Sequence, residues 1–300
     1  MILINYLKSI YSFEYGETLI FMLKQFLCTG DTHGGKGTLE RLEKISQMYP
    51  NEKSIGIIIL GDSGLNFYLN NTDIKYKKII NNFNYILYLV RGNHEQRPEL
   101  IDGIIKKYDD NVKGFIYIEE EFPNIRYFID GNIYNLNGYT TLVIGGGYSV
   151  DKYFRLNRAG YSLADELIAN PKKTGWFKDE LLTQKEMEDI SKKVNNKEFD
   201  FILTHVFPLS WEPTDLFLNF IDQKAVNKDM EKWLDNIKEN VSFKVWLAGH
   251  YHQDRLERPN AQMFFQEVES MDDIFARITQ PATAPDYKHI KSPNYYMEDN

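Results

Sequence analysis

Five short apolar runs in this chain each lead into a residue able to bind a metal or move a proton, and that recurrence constrains the fold more than any total does. Gln25-Phe26-Leu27-Cys28 leads into Gly30-Asp31-Thr32-His33, and Ile55-Gly56-Ile57-Ile58-Ile59-Leu60 into Gly61-Asp62. Tyr85-Ile86-Leu87-Tyr88-Leu89-Val90 precedes Arg91-Gly92-Asn93-His94-Glu95. Phe201-Ile202-Leu203 precedes Thr204-His205, and Val245-Trp246-Leu247-Ala248 precedes Gly249-His250-Tyr251-His252. Short apolar runs bounded by glycine read as strands buried on both faces. Polar residues just past their carboxyl ends lie where open α/β sheets take ligands.

Between the runs the pattern changes period. Leu39, Leu42, Ile45 and Met48 share one helical face, and Ile74, Ile79 and Ile80 mark a second helix less cleanly. Strand and helix alternating from Phe26 to Val90 imply neighbouring strands joined by crossover helices. A β-rich stretch follows, from Arg126-Tyr127-Phe128-Ile129 to Thr141-Leu142-Val143-Ile144, and Gly145-Gly146-Gly147 closes it as a tight turn. Residues 149–197 are the least regular and are expected to shape a pocket mouth. Val226, Met230, Trp233, Leu234 and Ile237 form a core-facing helical stripe with Asp222 as its expected N-cap, and Gln262-Met263-Phe264-Phe265 reads as a strand. The expected organisation is one domain over 22–279, an N-terminal extension over 1–21 with Met22 as a possible start, and a flexible tail over 280–300 that holds His289.

A 300-residue chain with 43% hydrophobic residues can bury a large core. Its net charge of −8 disfavours a broad electrostatic grip on nucleic acid. The single cysteine, Cys28, is expected to be a small buried apolar residue; it can form no intramolecular disulfide and gives no sign of an oxidising compartment. With no apolar run long enough to span a bilayer, the expected location is cytoplasmic, without a membrane partner.

Asp31, His33, Asp62, Asn93, His205, His250 and His252 offer oxygen and nitrogen donors without a thiolate. That set suits manganese, iron, zinc or cobalt better than calcium or magnesium. Two divalent ions carry about four positive charges, of which two aspartates and a bridging hydroxide cancel about three. The remainder attracts a phosphate ester, and phosphate-ester hydrolysis follows as the expected reaction.

In this order, Asp-x-His, Gly-Asp, Gly-Asn-His-Glu, Thr-His and Gly-His-x-His make the chain resemble the calcineurin-like metallophosphoesterases from Gly30 to His252. The resemblance implies an α/β fold in four layers, two mixed β-sheets flanked by helices. It implies two ions, manganese first, with iron, zinc, cobalt or nickel as alternatives. Asp31, His33, Asp62 and His252 would hold one; Asp62, Asn93, His205 and His250 would hold the other, with Asp62 bridging. His94 matches the family's general acid or transition-state stabiliser. The string Arg91-Gly92-Asn93-His94-Glu95 is similar to the serine/threonine phosphatase branch, in which that arginine binds substrate phosphate. That branch continues Gly-Asp into a further Asp and an Arg, whereas this chain reads Gly61-Asp62-Ser63-Gly64, so the usual carboxylate partner of His94 and second arginine are missing. Arg155 or Arg158 is a candidate replacement for the arginine.

The expected activity is hydrolysis of phosphomonoesters, on a phosphoprotein or a small molecule, by in-line attack of a metal-bridging hydroxide. A phosphodiesterase or nuclease of the same superfamily is the alternative within the enzyme class, and a metal-bound interaction module the alternative outside it. Trp176, Phe177 and Trp211 suit either a substrate surface or the core, and Tyr251, held between two ligands, is expected near the metals.

Overall fold

The computed structural model describes residues 23–50 and 54–280, so the expectations for Met22, the N-terminal extension, His289 and all of the tail past Gln280 lie outside the described residues. Strand and helix alternate at the start: β1 (Gln25–Thr29), α1 (Gly35–Met48), β2 (Ile55–Leu60), α2 (Asn71–Ile80) and β3 (Ile86–Val90). A run of antiparallel pieces follows, β4 (Ile104–Asp109), β5 (Gly114–Glu119), β6 (Ile125–Tyr127), β7 (Asn132–Leu136) and β8 (Tyr139–Ile144). Helices α3 (Lys152–Arg158), α4 (Pro171–Thr174) and α5 (Gln184–Val194) lead to β9 (Glu198–Thr204), α6 (Asp229–Asn240) and β10 (Ser242–Ala248). The described chain closes with β11 (Arg255–Arg258), β12 (Ala261–Met263), β13 (Glu269–Ser270) and α7 (Met271–Thr279).

These strands form two mixed sheets, one ordered β13-β1-β2-β3-β6-β5-β4 and the other β11-β12-β10-β9-β8-β7. Strands β1, β2, β3 and β6 run parallel in the first, as do β8, β9, β10 and β12 in the second. The four expected layers follow from the period-two alternation hidden inside the apolar runs. Phe26, Cys28, Ile58, Leu60, Tyr88 and Val90 face Val143, Phe201, Leu203, Val245 and Leu247 across the sheet-to-sheet interior. Their neighbours Leu27, Ile57, Ile59, Leu87 and Leu89 point the other way, onto Leu42, Ile45 and Ile80 of the helices. On the far side Leu142, Ile144, Ile202, Trp246 and Ala248 pack with Met187, Ile190, Met230, Trp233 and Leu234. Each fully buried Val, Leu, Ile or Phe among these contributes about 1.5–3 kcal/mol, so both faces of the central strands are anchored.

Several sequence expectations change here. Met48, Ile74 and Ile79 are exposed: α2 turns the face carrying Asp73, Lys77 and Ile80 inward, which leaves Ile74 and Ile79 outside, and Met48 is the last residue of α1. Helix α6 begins after Lys228 rather than at Asp222. Asp222 instead closes its own turn, its Oδ1 accepting from the Lys224 amide at 3.0 Å, which leaves Val226 outside the helix. The 149–197 segment is not a single irregular insertion: Thr183 and Glu186 form a capping box that starts α5, and Met187, Ile190 and Val194 bury that helix in the core. The β4–β5 hairpin and α7 gave no clear sequence signal. Cys28 is fully buried, as expected.

Candidate metal centre

Every expected ligand stands just past the carboxyl end of a parallel strand: Asp31 and His33 after β1, Asp62 after β2, Asn93 after β3, His205 after β9, and His250 with His252 after β10. Because β1–β3 and β9–β10 belong to opposite sheets, the two sets face each other across one edge of the sandwich. Their approach is close. A Cβ on Gly92 would lie 2.0 Å from Asp62 Oδ1, and one on Gly249 would lie 2.4 Å from Asp31 Oδ1, so only glycine lets these loops meet. His33, Asp62, His250 and His252 all adopt positive φ, an energetically costly backbone that tends to collect at functional sites.

Two groups of donors result. Asp31, His33 and His252 present ligand atoms within 4.8 Å of one another, and so do Asp62, His205 and His250. In the first, the Nε2 atoms of His33 and His252 are 2.7 Å apart and lie 3.8 and 3.3 Å from Asp31 Oδ2. In the second, His205 Nε2 lies 3.5 Å from Asp62 Oδ2 and 2.9 Å from Asn93 Oδ1. His205 Nδ1 makes a 2.8 Å contact with the Leu60 carbonyl, which orients the ring with Nε2 toward the carboxylate. Both aspartates are fixed from behind by backbone amides: the His250 N–H donates to Asp31 Oδ1 at 2.9 Å, and the His94 N–H donates to Asp62 Oδ1 at 2.8 Å. His94 Nε2 faces the same Asp62 carboxylate, 3.8 Å from Oδ2.

The electrostatics are those of a cation site. Burial presses Asp31 and Asp62 toward neutrality, but His252 and His205 around the first, and His205 and His94 around the second, hold both carboxyls below their ordinary range. Burial also opposes charge on His205, yet Asp62 and Asp31 outweigh it and raise this imidazole to about 9. His250 moves the other way, to about 3, through burial and the neighbouring His205. Two buried carboxylates thus favour a protonated His205 as their counter-charge, the role a divalent ion fills better. The residues present fit such ions in donor chemistry, number and convergence.

Three further residues hold this arrangement, and the sequence analysis gave none of them a role. Glu95 accepts from the Gly92 amide at 2.9 Å and the Gly64 amide at 3.2 Å, tying the third loop to the second. Asn93 Nδ2 donates to Ser149 Oγ at 2.9 Å, and Ser149 donates to Glu180 Oε2 at 2.5 Å, which turns Asn93 Oδ1 toward His205. Glu95 completes a quoted motif and was visible; Ser149 and Glu180 come from the irregular segment and carried no signal.

Arg91 occupies a different place from the one expected. Its side chain is 2% exposed and spends Nε on Asp130 Oδ2 at 2.9 Å, Nη1 on the Glu180 carbonyl at 2.6 Å and Nη2 on the Gly145 carbonyl at 3.2 Å. This packing makes it a brace between the third loop and the Gly145-Gly146-Gly147 turn, and gives no support to a phosphate-binding role. Arg155 is the guanidinium whose charge reaches His94, while Arg158 is exposed. Trp176 and Phe177 are buried, and the partly buried Tyr251 packs edge-on against the ligand His250 with ring centroids 5.2 Å apart while stacking on Phe207 at 5.8 Å, its hydroxyl accepting from the Phe207 amide at 3.1 Å.

Among the described residues no helix is long and apolar enough to cross a membrane. A family model described as calcineurin-like phosphoesterase matches residues 24–254, a span that takes in every residue of both donor groups. No curated protein matches the chain.

Proposed function

From the premise that the chain belongs to the calcineurin-like phosphoesterase family, and is therefore a metal-dependent phosphoesterase, we propose that it hydrolyses phosphomonoesters of peptides or small molecules. The observation that carries this reading is the convergence of the two donor groups, with Asp62 facing both His205 and His94. Asp31, His33, Asp62 and His252 would hold one ion, and Asp62, Asn93, His205 and His250 the other, manganese being the first candidate. Bound there, two divalent ions supply Lewis acidity and a water acidified to a pKa of about 7.

The chain's own residues do the rest. Asp31 and Asp62 neutralise part of the ionic charge while leaving the site attractive to phosphate. Ser149 and Glu180 keep the Asn93 amide from rotating. His94 presents Nε2 on the reacting side and delivers a proton to the leaving oxygen. Arg155 adds positive charge beside it. The segment that brings in Arg155 also carries exposed Phe154, Leu167 and Ile168, apolar surface that gives no grip on a polyanion.

A phosphodiesterase is the second reading. The burial of Arg91 favours it, because the residue first expected to grip a terminal phosphate is occupied elsewhere. The test is turnover of p-nitrophenyl phosphate against bis-p-nitrophenyl phosphate by manganese-loaded protein, beside its His94→Ala variant. Monoester preference supports the proposal, with phenyl phosphate turnover falling further than p-nitrophenyl phosphate turnover in the variant because only the poorer leaving group needs the His94 proton, and diester preference transfers it to the second reading. Turnover of neither ester with any tested metal would leave a metal-bound interaction module.

A further inference from the structure

The two donor groups are held unequally. In the second, the His205 ring is fully buried, and its Nδ1 contact with the Leu60 carbonyl fixes the direction of Nε2. In the first, the His252 side chain is 39% exposed on a backbone of positive φ, and among the described residues no hydrogen bond holds its Nδ1. A ligating imidazole presents its lone pair in the plane of the ring, so a ring free to turn loses its aim. Aromatic contact limits that freedom. His33 meets His252 edge-on with ring centroids 4.6 Å apart, and Phe265 lies nearly parallel to it at 5.0 Å and 26°. His33 is a donor itself, so of these two supports only Phe265 is not a ligand. Phe265 stands two residues past β12 and beyond residue 254, where the family match ends. Its backbone is fixed on several sides. Asp254 Oδ1 accepts from the Phe265 and Glu267 amides at 2.7 and 3.0 Å, and Oδ2 from the Gln266 amide at 3.0 Å. Arg41 Nη1, from α1, donates to the Phe265 carbonyl at 2.7 Å. A Cβ on Gly30 would lie 2.0 Å from the Phe264 carbonyl oxygen, so this segment also runs against the loop that presents Asp31.

We propose that Phe265, seated by Asp254 and Arg41, is a positioning residue of the first donor group. Its ring holds His252 with Nε2 toward Asp31, and so sets how tightly an ion is retained at Asp31, His33 and His252 without acting on one at Asp62, His205 and His250. This rests on the dinuclear reading of the site and adds to it a residue from outside the family match. The support acts through shape. A flat ring against the imidazole face opposes its rotation about Cβ–Cγ, whereas an aliphatic side chain of similar volume fills the space without fixing the plane. The effect is confined to one group, because His205 and His250 pack on each other, centroids 4.9 Å apart, and Phe265 makes no ring contact with either among the described residues.

The test counts ions rather than turnover. Full-length protein is dialysed against graded concentrations of free Mn2+, and in parallel Zn2+, and elemental analysis gives the ions held per chain. The parent should fill two sites. Phe265→Ala should need about tenfold more of the ion to fill one of them, the low end of what losing an outer partner of a metal ligand costs, with the other site unchanged. Phe265→Leu should behave like Phe265→Ala, and Phe265→Tyr like the parent. These two variants keep most of the side-chain volume, so their comparison decides the matter where the alanine variant fails to fold. In a His252→Ala background, Phe265→Ala should leave the affinity of the remaining ion unchanged. Equal weakening of both ions, no weakening of either, or a Phe265→Leu variant that binds like the parent would overturn the assignment. A parent that takes up fewer than two of either ion overturns the dinuclear reading and the assignment with it, whereas a parent holding two ions that Phe265→Leu leaves unaffected overturns the assignment alone.

Discussion

Arg91→Ala separates a brace from a substrate contact. The guanidinium is enclosed, and it gives hydrogen bonds to the Asp130 carboxylate and to the carbonyls of Glu180 and Gly145. Asp130 in turn accepts from the Gly145 amide at 2.6 Å, so one carboxylate ties the arginine to the turn beside the site. Truncation leaves Asp130 facing an empty space and strands two carbonyls. Breaking a buried ion pair from one side costs about 3–5 kcal/mol, a large share of a typical total stability of about 5–15 kcal/mol. For a domain of this size that is a fall in Tm of roughly 10 °C. Thermal melts and urea titrations would measure the loss, and kinetics taken well below the melting range would follow kcat and KM separately. The brace predicts a lower Tm, with activity falling only as metal occupancy falls and KM nearly unchanged. A variant that melts with the parent but shows KM raised by about tenfold or more would refute this reasoning, because that pattern belongs to a lost ground-state contact with phosphate.

The remaining predictions concern the centre and its support. Chelation should lower Tm, since an ion held at a hundred times its Kd stabilises the fold by about 2.7 kcal/mol. At pH 8 it should also draw protons onto His205, whose metal-free pKa is about 9, and calorimetry in buffers of different ionisation enthalpy would count them. Gly92→Ala places a Cβ 2.0 Å from Asp62 Oδ1 and should empty the metal sites, as read by elemental analysis, together with a large loss of stability. Burial pushes the Glu180 carboxyl up to about 7, so its contribution to stability is full below the unfolded value of about 4.3 and is lost as pH rises through about 7. The Tm of the parent relative to Glu180→Gln should therefore fall between pH 5 and 8, and a difference flat with pH would remove Glu180 from the account.

The sequence by itself determined the parts of this protein that depend on local pattern. Four of the five apolar runs lead into glycine and all five lead into polar residues, because a strand buried on both faces must be apolar along its length and can offer ligands only beyond its end. The residues Asp31, His33, Asp62, Asn93, His205, His250 and His252 were legible for that reason, and so was the order of strand and helix through β3. Tertiary structure decided what depends on partners distant in the chain. Whether Arg91 meets a substrate or an aspartate was set by Asp130 and by the carbonyls of Gly145 and Glu180, none of which its own motif reveals. Ile74 and Ile79 look like core from their composition, but α2 covers the sheet only with its inner face. Tyr251 lies between two ligands in sequence, and the fold seats its ring between the ligand His250 and the buried Phe207, a contact its own motif does not reveal. The surroundings of His94 were likewise undecidable from the chain, because Asp151 and Arg155, whose charges act on it, are distant from it in sequence.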